Sequence, residues 1–318
     1  MNANSSNDGF WLIKTAEKKV NVKGAAYLDL TICDKKGEMN GKLWDYNELA
    51  HGEYAPGDLV KIRGSITVFN GNSQLRIDRI RRVTPNDGVD VSDFVPTAEY
   101  SGEMMLGLVM NVIASVKDTE LQQLTYALVK DREQDILHWP AAFKLHHAIR
   151  GGLLYHTLSI IKLADAVCAI YPSVDKDLLS CGAIVHDLCK IDEFDLSSAG
   201  LVTGYSVKGE LIGHLVMGAV KIAEKAKELG ISEEKSMLLQ HMVISHHGEP
   251  EFGAAVRPMF LEAEILSQLD KLDATIYEIT SAVSEVESGE FTGRQWALDN
   301  RKLYNHGRKE SSPKANLE

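Results

Sequence analysis

The chain has 318 residues, of which 44% are hydrophobic and 25% charged, with a formal net charge of −11. No run approaches ~18 consecutive apolar residues, which argues against a bilayer span and a membrane partner. The opening MNANSSNDGF lacks the basic start and apolar stretch of a signal peptide. Four separated cysteines (33, 168, 181 and 189) fit free thiols in a reducing compartment rather than a disulfide frame or zinc ribbon, so cytoplasm is the expected location.

The first ~85 residues alternate apolar and polar with period two, as half-buried strands do. FWLIKTAEKK opens the series. AAYLDLTICD (25–34) turns Leu28, Leu30 and Ile32 one way and Tyr27, Asp29 and Thr31 the other. GKLWD (41–45) sends Leu43 inward and Lys42 and Trp44 outward. DLVKIRGSITVF (58–69) and SQLRIDRIRRV (73–83) place Arg63 and Arg76 outward. DKKGE, APGD and FNGN supply the turns. Five short strands predict a small antiparallel barrel. Residues 10–85 hold 13 Lys and Arg against 9 Asp and Glu, a mildly basic module in an acidic protein.

TPNDGVDVSDFVPTAEYS (84–101) has no period and reads as a linker. Helical patterns then run almost to the end, several starting after Ser, Thr or Asp or stopping at Gly. The last predicted helix is long, 256 to 288, and offers a surface for oligomerisation. NHGRKESSPKANLE reads as a frayed tail. Residues 101–318 hold 21 Lys and Arg against 31 Asp and Glu.

Nine of the eleven histidines fall between residues 138 and 247. Polar residues interrupt apolar helix faces at His156, His186-Asp187, His214, His246-His247 and Asp270, at gaps of about one helix plus a loop. A helical bundle can aim such residues at one centre. Five imidazoles and two carboxylates exceed the four ligands of a structural zinc. They suit one open octahedral site or two adjacent ones, holding Mn, Fe, Co, Ni or Mg. Asp187 and Lys190 share a helix face with His186. Lys190 either stabilises phosphoryl charge or forms a salt bridge with Asp187 or Asp192. His241 has no partner pattern and reads as a core residue.

The order H … HD … H … HH … D over residues ~140–285 resembles the HD-domain metal-dependent phosphohydrolases. The resemblance implies that His156, His186, Asp187 and Asp270 hold one metal. It implies that Asp187 bridges to a second ion held by His214, His246 and His247. Asp187 and Lys190 are the expected catalytic residues. Asp273 rivals Asp270 for the last ligand position, which the apolar run before it assigns to Asp270. Where HD domains typically read HDLGK, this chain reads HDLCK, with Cys189 in place of Gly.

The barrel resembles an OB-fold of the anticodon-binding type, which implies a single-strand-binding face. Tyr27, Lys42, Trp44, Arg63 and Arg76 are its candidate nucleic-acid contacts. Trp44 stands between stacking a base and packing against protein. Barrel and HD segment together, with HHAIRGGLLYHT (146–157), AIVHDLCKI (183–191) and the stretch 245–274, resemble the YhaM-type 3′–5′ exoribonucleases. That resemblance implies hydrolysis of single-stranded RNA, and of DNA as an extension, from the 3′ end by metal-activated water, with Mn²⁺ the implied metal. His146, His147 and Arg150 either meet substrate phosphate or pack the turn at Gly151-Gly152. A phosphohydrolase of a small nucleotide and a non-enzymatic single-strand binder are the rival readings. The expected division is therefore an all-β OB barrel at 1–85, a linker at 86–100, an all-α HD bundle at 101–305 and a tail at 306–318.

Overall fold

The computed structural model describes residues 6–34, 37–69, 72–143, 147–197 and 199–317. The chain forms two compact units. One comprises residues 1–97 with 196–203; the other comprises 98–195 with 204–318.

In the first unit β1 (Ser6–Val20), β2 (Ala26–Asp34), β3 (Gly37–Trp44), β4 (Leu59–Phe69) and β5 (Asn72–Arg82) close a barrel in the order β1-β2-β3-β5-β4. The β3–β5 pairing is parallel and the others are antiparallel. A single turn of helix, α1 (Glu48–His51), joins β3 to β4. The alternating apolar positions fill the interior: Ile13, Leu30, Ile32, Val60, Ile62 and Leu75 are fully buried. Gly64 lets β4 approach β5 closely, since a Cβ there would sit 2.2 Å from the Arg76 carbonyl oxygen.

Residues 85–95 are no free linker. Phe94, Val91 and Val89 pack with Val95, Leu12, Leu59, Ala199 and Leu201 in a small cluster belonging to this unit. Their spacing fits neither helix nor strand, because two short 3₁₀ turns (Pro85–Asp87 and Val91–Asp93) carry them.

The second unit is mainly helical. It contains α2 (Gly102–Ser115), α3 (Thr119–Lys130), α4 (Glu133–Ile136), α5 (Gly152–Ile170), α6 (Lys176–Val185) and α7 (Lys190–Glu193). A short hairpin of β6 (Phe194–Leu196) and β7 (Val202–Tyr205) comes next in the chain, its residues 196–203 belonging to the first unit. Then come α8 (Val207–Leu211), α9 (Gly213–Leu229), α10 (Glu233–Ser245) and α11 (Leu261–Ser284). Ser101, Asp118 and Asp175 cap α2, α3 and α6 with side-chain oxygens, as their sequence positions suggested.

Helix α5 is long and apolar enough to cross a membrane. It is instead the packed centre of the bundle, with Leu153, Leu154, Leu158 and Ile160 at most 2% exposed. The helical pattern ends earlier than the sequence suggests: residues 289–305 form a hairpin, with isolated bridges at Phe291–Tyr304 and Gln295–Arg301. The C-terminal tail is docked rather than frayed. Leu317 is fully buried, and the Ala315 carbonyl accepts a 3.1 Å hydrogen bond from the Tyr155 hydroxyl.

Candidate metal centre

Two helix crossings, of α10 on α6 and of α10 on α9, decide where three of the histidines arrive. Gly182 on α6 precedes His186 by one turn, Gly218 on α9 follows His214 by one turn, and Met242 on α10 precedes His246 by one turn. Residues four apart share a helix face. A Cβ on Gly182 would lie 2.2 Å from Met242 Cε, and one on Gly218 would lie 2.9 Å from Val243 Cγ1. The missing side chains therefore let α10 press against α6 and α9 one turn away from each histidine. The same close packing that builds the core delivers three imidazoles to one place. A second glycine pair starts α5: Gly151 adopts a left-handed φ of 76°. Gly152 sits where a Cβ would meet the His147 carbonyl oxygen at 2.0 Å. His156 follows one turn later.

Asp187, 1% exposed, occupies the middle of the cluster. Its Oδ2 lies 3.4 Å from His186 Nε2, 3.6 Å from His156 Nε2 and 2.6 Å from Lys190 Nζ. Its Oδ1 lies 3.4 Å from His214 Nε2 and 3.5 Å from His246 Nε2. Asp270 Oδ1 adds a carboxylate on the first side, 3.1 Å from His156 Nε2. His247 joins His214 and His246 on the second side, the three donor atoms lying within 4.8 Å of one another. The seven residues singled out in the sequence thus converge as two groups that share one carboxylate.

The far nitrogen of every imidazole is held. His156 Nδ1 bonds Asp273 Oδ2 at 2.8 Å and His214 Nδ1 bonds Glu193 Oε1 at 2.9 Å. His186, His246 and His247 place Nδ1 against the backbone oxygens of Ala183, Val243 and Phe252 at 2.8, 2.7 and 3.0 Å. An imidazole that donates from Nδ1 leaves Nε2 as its ligand atom; four of these Nε2 atoms lie 3.4–3.6 Å from Asp187, and His247 groups with His214 and His246.

Two observations test whether a cation fits this donor set. Asp187 Oδ1 and His214 Nε2 are buried, and neither makes a hydrogen bond among the described residues. Two buried acceptors facing each other cost free energy that a cation between them would remove. His156 Nε2 and His186 Nε2 likewise meet at 3.4 Å, close enough for one cation to hold both. The nitrogen-rich set with a shared carboxylate suits borderline divalent ions.

Burial opposes every charge here, and the partners decide the outcome. Burial alone would raise the Asp187 carboxyl, but the Lys190 ammonium and the surrounding imidazoles hold it well below its ordinary range. Burial would lower Lys190, whereas Asp187 raises it, so the ammonium stays charged at neutral pH. Burial would also lower His156, yet Asp270 and Asp273 raise it to about 10. For a ligand nitrogen this means that metal binding displaces a proton. His246 goes the other way, pushed by burial to about 3. Burial raises the Cys189 thiol to about 12, so it packs as a neutral side chain rather than acting as a nucleophile.

Lys190 bonds Asp187, not Asp192, whose carboxylate pairs with Arg132 and Lys221. It also lines a cleft of about 680 Å³ together with His246, His247 and Asp270. Asp273 supports His156 from behind rather than competing with Asp270. His147, with a left-handed φ of 54°, bonds the same Asp273 oxygen at 2.8 Å, so it packs behind the cluster. The Arg150 carbonyl accepts from the Ala98 N–H at 2.9 Å, and His146 lies outside the described residues. His241 stands apart, accepting from the Met259 N–H at 3.0 Å. Glu193 is the residue the sequence did not single out. Its only signal is its place six residues beyond Asp187 on the same turn-rich segment.

On the barrel, Tyr27 and Trp44 are cross-strand partners with ring centroids 4.7 Å apart. Lys42 lies over both rings, at 5.3 and 5.6 Å, and pairs in register with Arg76 of β5. Trp44 thus packs against Tyr27 while remaining 38% exposed. Arg63 does not join this group. It points outward from β4, in register with Arg79, and is tied to Asp8 at 3.2 Å.

Comparison with known proteins agrees with both halves. The HD domain family matches residues 153–275, the span that holds all seven clustered residues. Relatives named 3′-5′ exoribonuclease YhaM from Bacillus licheniformis, Bacillus subtilis and a Geobacillus strain are 39%, 38% and 40% identical to this chain. Each match covers 93% of the chain and 94%, 94% and 91% of the relative. Likeness of this degree, running through barrel and bundle alike, means that the chain belongs to the YhaM family of 3′–5′ exoribonucleases.

Proposed function

We propose that this protein is a metal-dependent 3′–5′ exoribonuclease. The observation that carries the reading is Asp187, whose two oxygens face two groups of imidazoles with their Nε2 atoms presented. His156, His186, Asp187 and Asp270 would hold one divalent ion, and Asp187, His214, His246 and His247 a second. Bound there, the ions supply Lewis acidity to a phosphodiester. Mn²⁺ is the metal we infer from the family resemblance, and the mixed nitrogen and carboxylate donors accommodate it as they would Fe, Co or Ni.

The chain's own residues account for the rest. Asp273 and Glu193 fix the His156 and His214 rings, so the donor set needs no rearrangement when substrate arrives. Lys190 is a charged ammonium held at one end by Asp187 and lining the cleft, placed to carry part of the negative charge that builds on a phosphoryl group. The cleft's roughly 680 Å³ suits a small-molecule-sized guest such as a terminal nucleotide. On the barrel, Tyr27 and Trp44 offer ring faces to bases, and Lys42 and Arg76 offer charge to phosphates. Stacking and phosphate contacts are offered by RNA and single-stranded DNA alike, so single-stranded DNA is the second ligand of this reading.

The test uses 5′-labelled single-stranded RNA with Mn²⁺. Progressive shortening from the 3′ end with mononucleotide release, abolished in Asp187→Asn, is the expected result. Intact RNA alongside turnover of a nucleoside triphosphate would identify a small-nucleotide phosphohydrolase instead.

A further inference from the structure

Beyond α11 the chain folds into a hairpin over residues 289–305. Backbone hydrogen bonds from Thr292 to Leu303 and from Gln295 to Arg301, both 2.9 Å, hold its arms. Asp299 and Asn300, both at φ 55°, form the two central residues of a tight turn, closed by the Arg301 N–H to the Leu298 carbonyl at 3.0 Å. The Asn305 amide anchors the base to the Val286 carbonyl at 2.8 Å.

The hairpin is one-sided. Thr292 and Leu298 are buried, at 4% and 6% exposure, while Phe291, Trp296 and Tyr304 are exposed at 62%, 72% and 50%. Ala297 and Leu298 line the same cleft as Lys190, His246, His247 and Asp270. The tryptophan is therefore one residue away from the wall of the candidate centre's cleft.

Charge distinguishes the patch as well. Residues 289–309 carry five Lys and Arg against two Asp and Glu, inside a unit whose sequence is otherwise strongly acidic. Arg294 and Arg301 each donate to a backbone oxygen at the tip, and neither forms an ion pair among the described residues. Protein–protein interfaces also favour aromatics and Arg but are depleted of Lys, whereas this stretch adds Lys302 and Lys309 and adjoins the cleft of the candidate centre. Exposed aromatics interleaved with arginines fit single-stranded nucleic acid, where rings stack on bases and cations meet phosphates.

We propose that this hairpin is a second RNA-binding element, with Trp296 stacking a base next to the nucleotide held in the cleft and Arg294 and Arg301 meeting the flanking phosphates. The proposal rests on the exoribonuclease reading and assigns part of its substrate site.

The experiment uses the full chain and the trinucleotide ApApA. Wild type is first assayed for nucleotide release from single-stranded RNA with Mn²⁺; failure there removes the exoribonuclease reading itself. Binding of ApApA is then measured with EDTA present, so no turnover intervenes. Trp296→Ala should weaken binding by about 5–150-fold, the range that loss of one base–aromatic stack gives, and should raise KM more than it lowers kcat. Trp296→Phe keeps a ring and should retain most of the affinity, while losing part of the RNA-induced quenching of tryptophan emission expected of wild type. Binding by Trp296→Ala within about twofold of wild type would overturn the proposal, being smaller than any stacking contribution. So would a shift in its oligomeric state on size exclusion, which would make the patch a contact between copies of this chain.

Discussion

The barrel and the helical unit treat their polar residues in opposite ways. On the barrel, Tyr27, Lys42 and Trp44 stand on the outer face touching one another, with Arg76 in register beside Lys42. In the helical unit the histidines and aspartates are turned inward, and each ring is fixed by a second partner. An exposed aromatic or cation can adapt to many sequences, so it contributes affinity without selecting a base. A buried, doubly held donor is already oriented before substrate binds, which is what lowers a barrier. Binding and chemistry thus have different structural signatures within one chain, and substitutions should separate them.

The sharpest break is at Asp187. Asp187→Asn should reduce RNA hydrolysis by more than ~10³-fold, because it removes the carboxylate both imidazole groups share. Asparagine is preferable to alanine, since stranding the buried Lys190 ammonium with no partner would cost ~3–5 kcal/mol. Circular dichroism should show the fold intact. Lys190→Met comes next, with kcat down by ~10²–10³-fold, the usual loss when one charge-stabilising donor is removed. Asp273→Asn and Glu193→Gln touch no expected metal ligand atom, yet each should weaken metal activation by ~10–100-fold, read as a higher Mn²⁺ concentration for half-maximal rate. On the other side of the comparison, Trp44→Ala should raise KM for RNA by ~5–150-fold and leave the Mn²⁺ requirement alone. A Trp44 variant that altered metal activation would erase the distinction between the two regions.

The acid–base behaviour of His156 provides a smaller, complementary effect. Its folded value is raised from 6.5 to about 10, so the stabilisation it gains from Asp270 and Asp273 is full below pH 6.5 and is lost as pH rises through 10. Because a metal must displace that proton, the apparent affinity for Mn²⁺ should increase over the same interval, as a metal titration at stepped pH would record.

How much of this could be read from the amino acids depends on the period of each segment. The barrel strands show a clean alternation, and their inward residues are those the alternation named, although β1 and β3 begin earlier than their apolar runs. Parity assigns Arg63 to the outer face but cannot say which outer face. A register shift between Arg63 and Gly64, and the Asp8 carboxylate, put it beyond the Tyr27–Trp44 group. Phe94 and Val95 looked like linker because their burial follows 3₁₀ turns rather than a regular period. The 289–305 hairpin lies in a stretch that the sequence assigns to an all-α bundle without naming a helix there, because its Asp-Asn turn lacks the glycine that usually announces a hairpin.

In the centre, adjacent His-Asp and His-His pairs on apolar faces exposed the converging residues. Glu193 escaped notice because a carboxylate near a helix end looks the same whether it faces solvent or an imidazole. The glycines at 182 and 218 were equally silent, since only the neighbouring helix shows why a side chain is missing there.

The Nδ1 anchoring of the five imidazoles has a consequence for handling the protein. Each ring takes its orientation from an oxygen of the polypeptide, in three cases a backbone oxygen, so the cage is assembled by folding rather than by its cargo. Small zinc domains collapse when stripped, but this bundle has a large apolar core beneath the site. Dialysis against a chelator should therefore give a quiet but well-formed protein, whose activity returns on adding back Mn²⁺ with no refolding step.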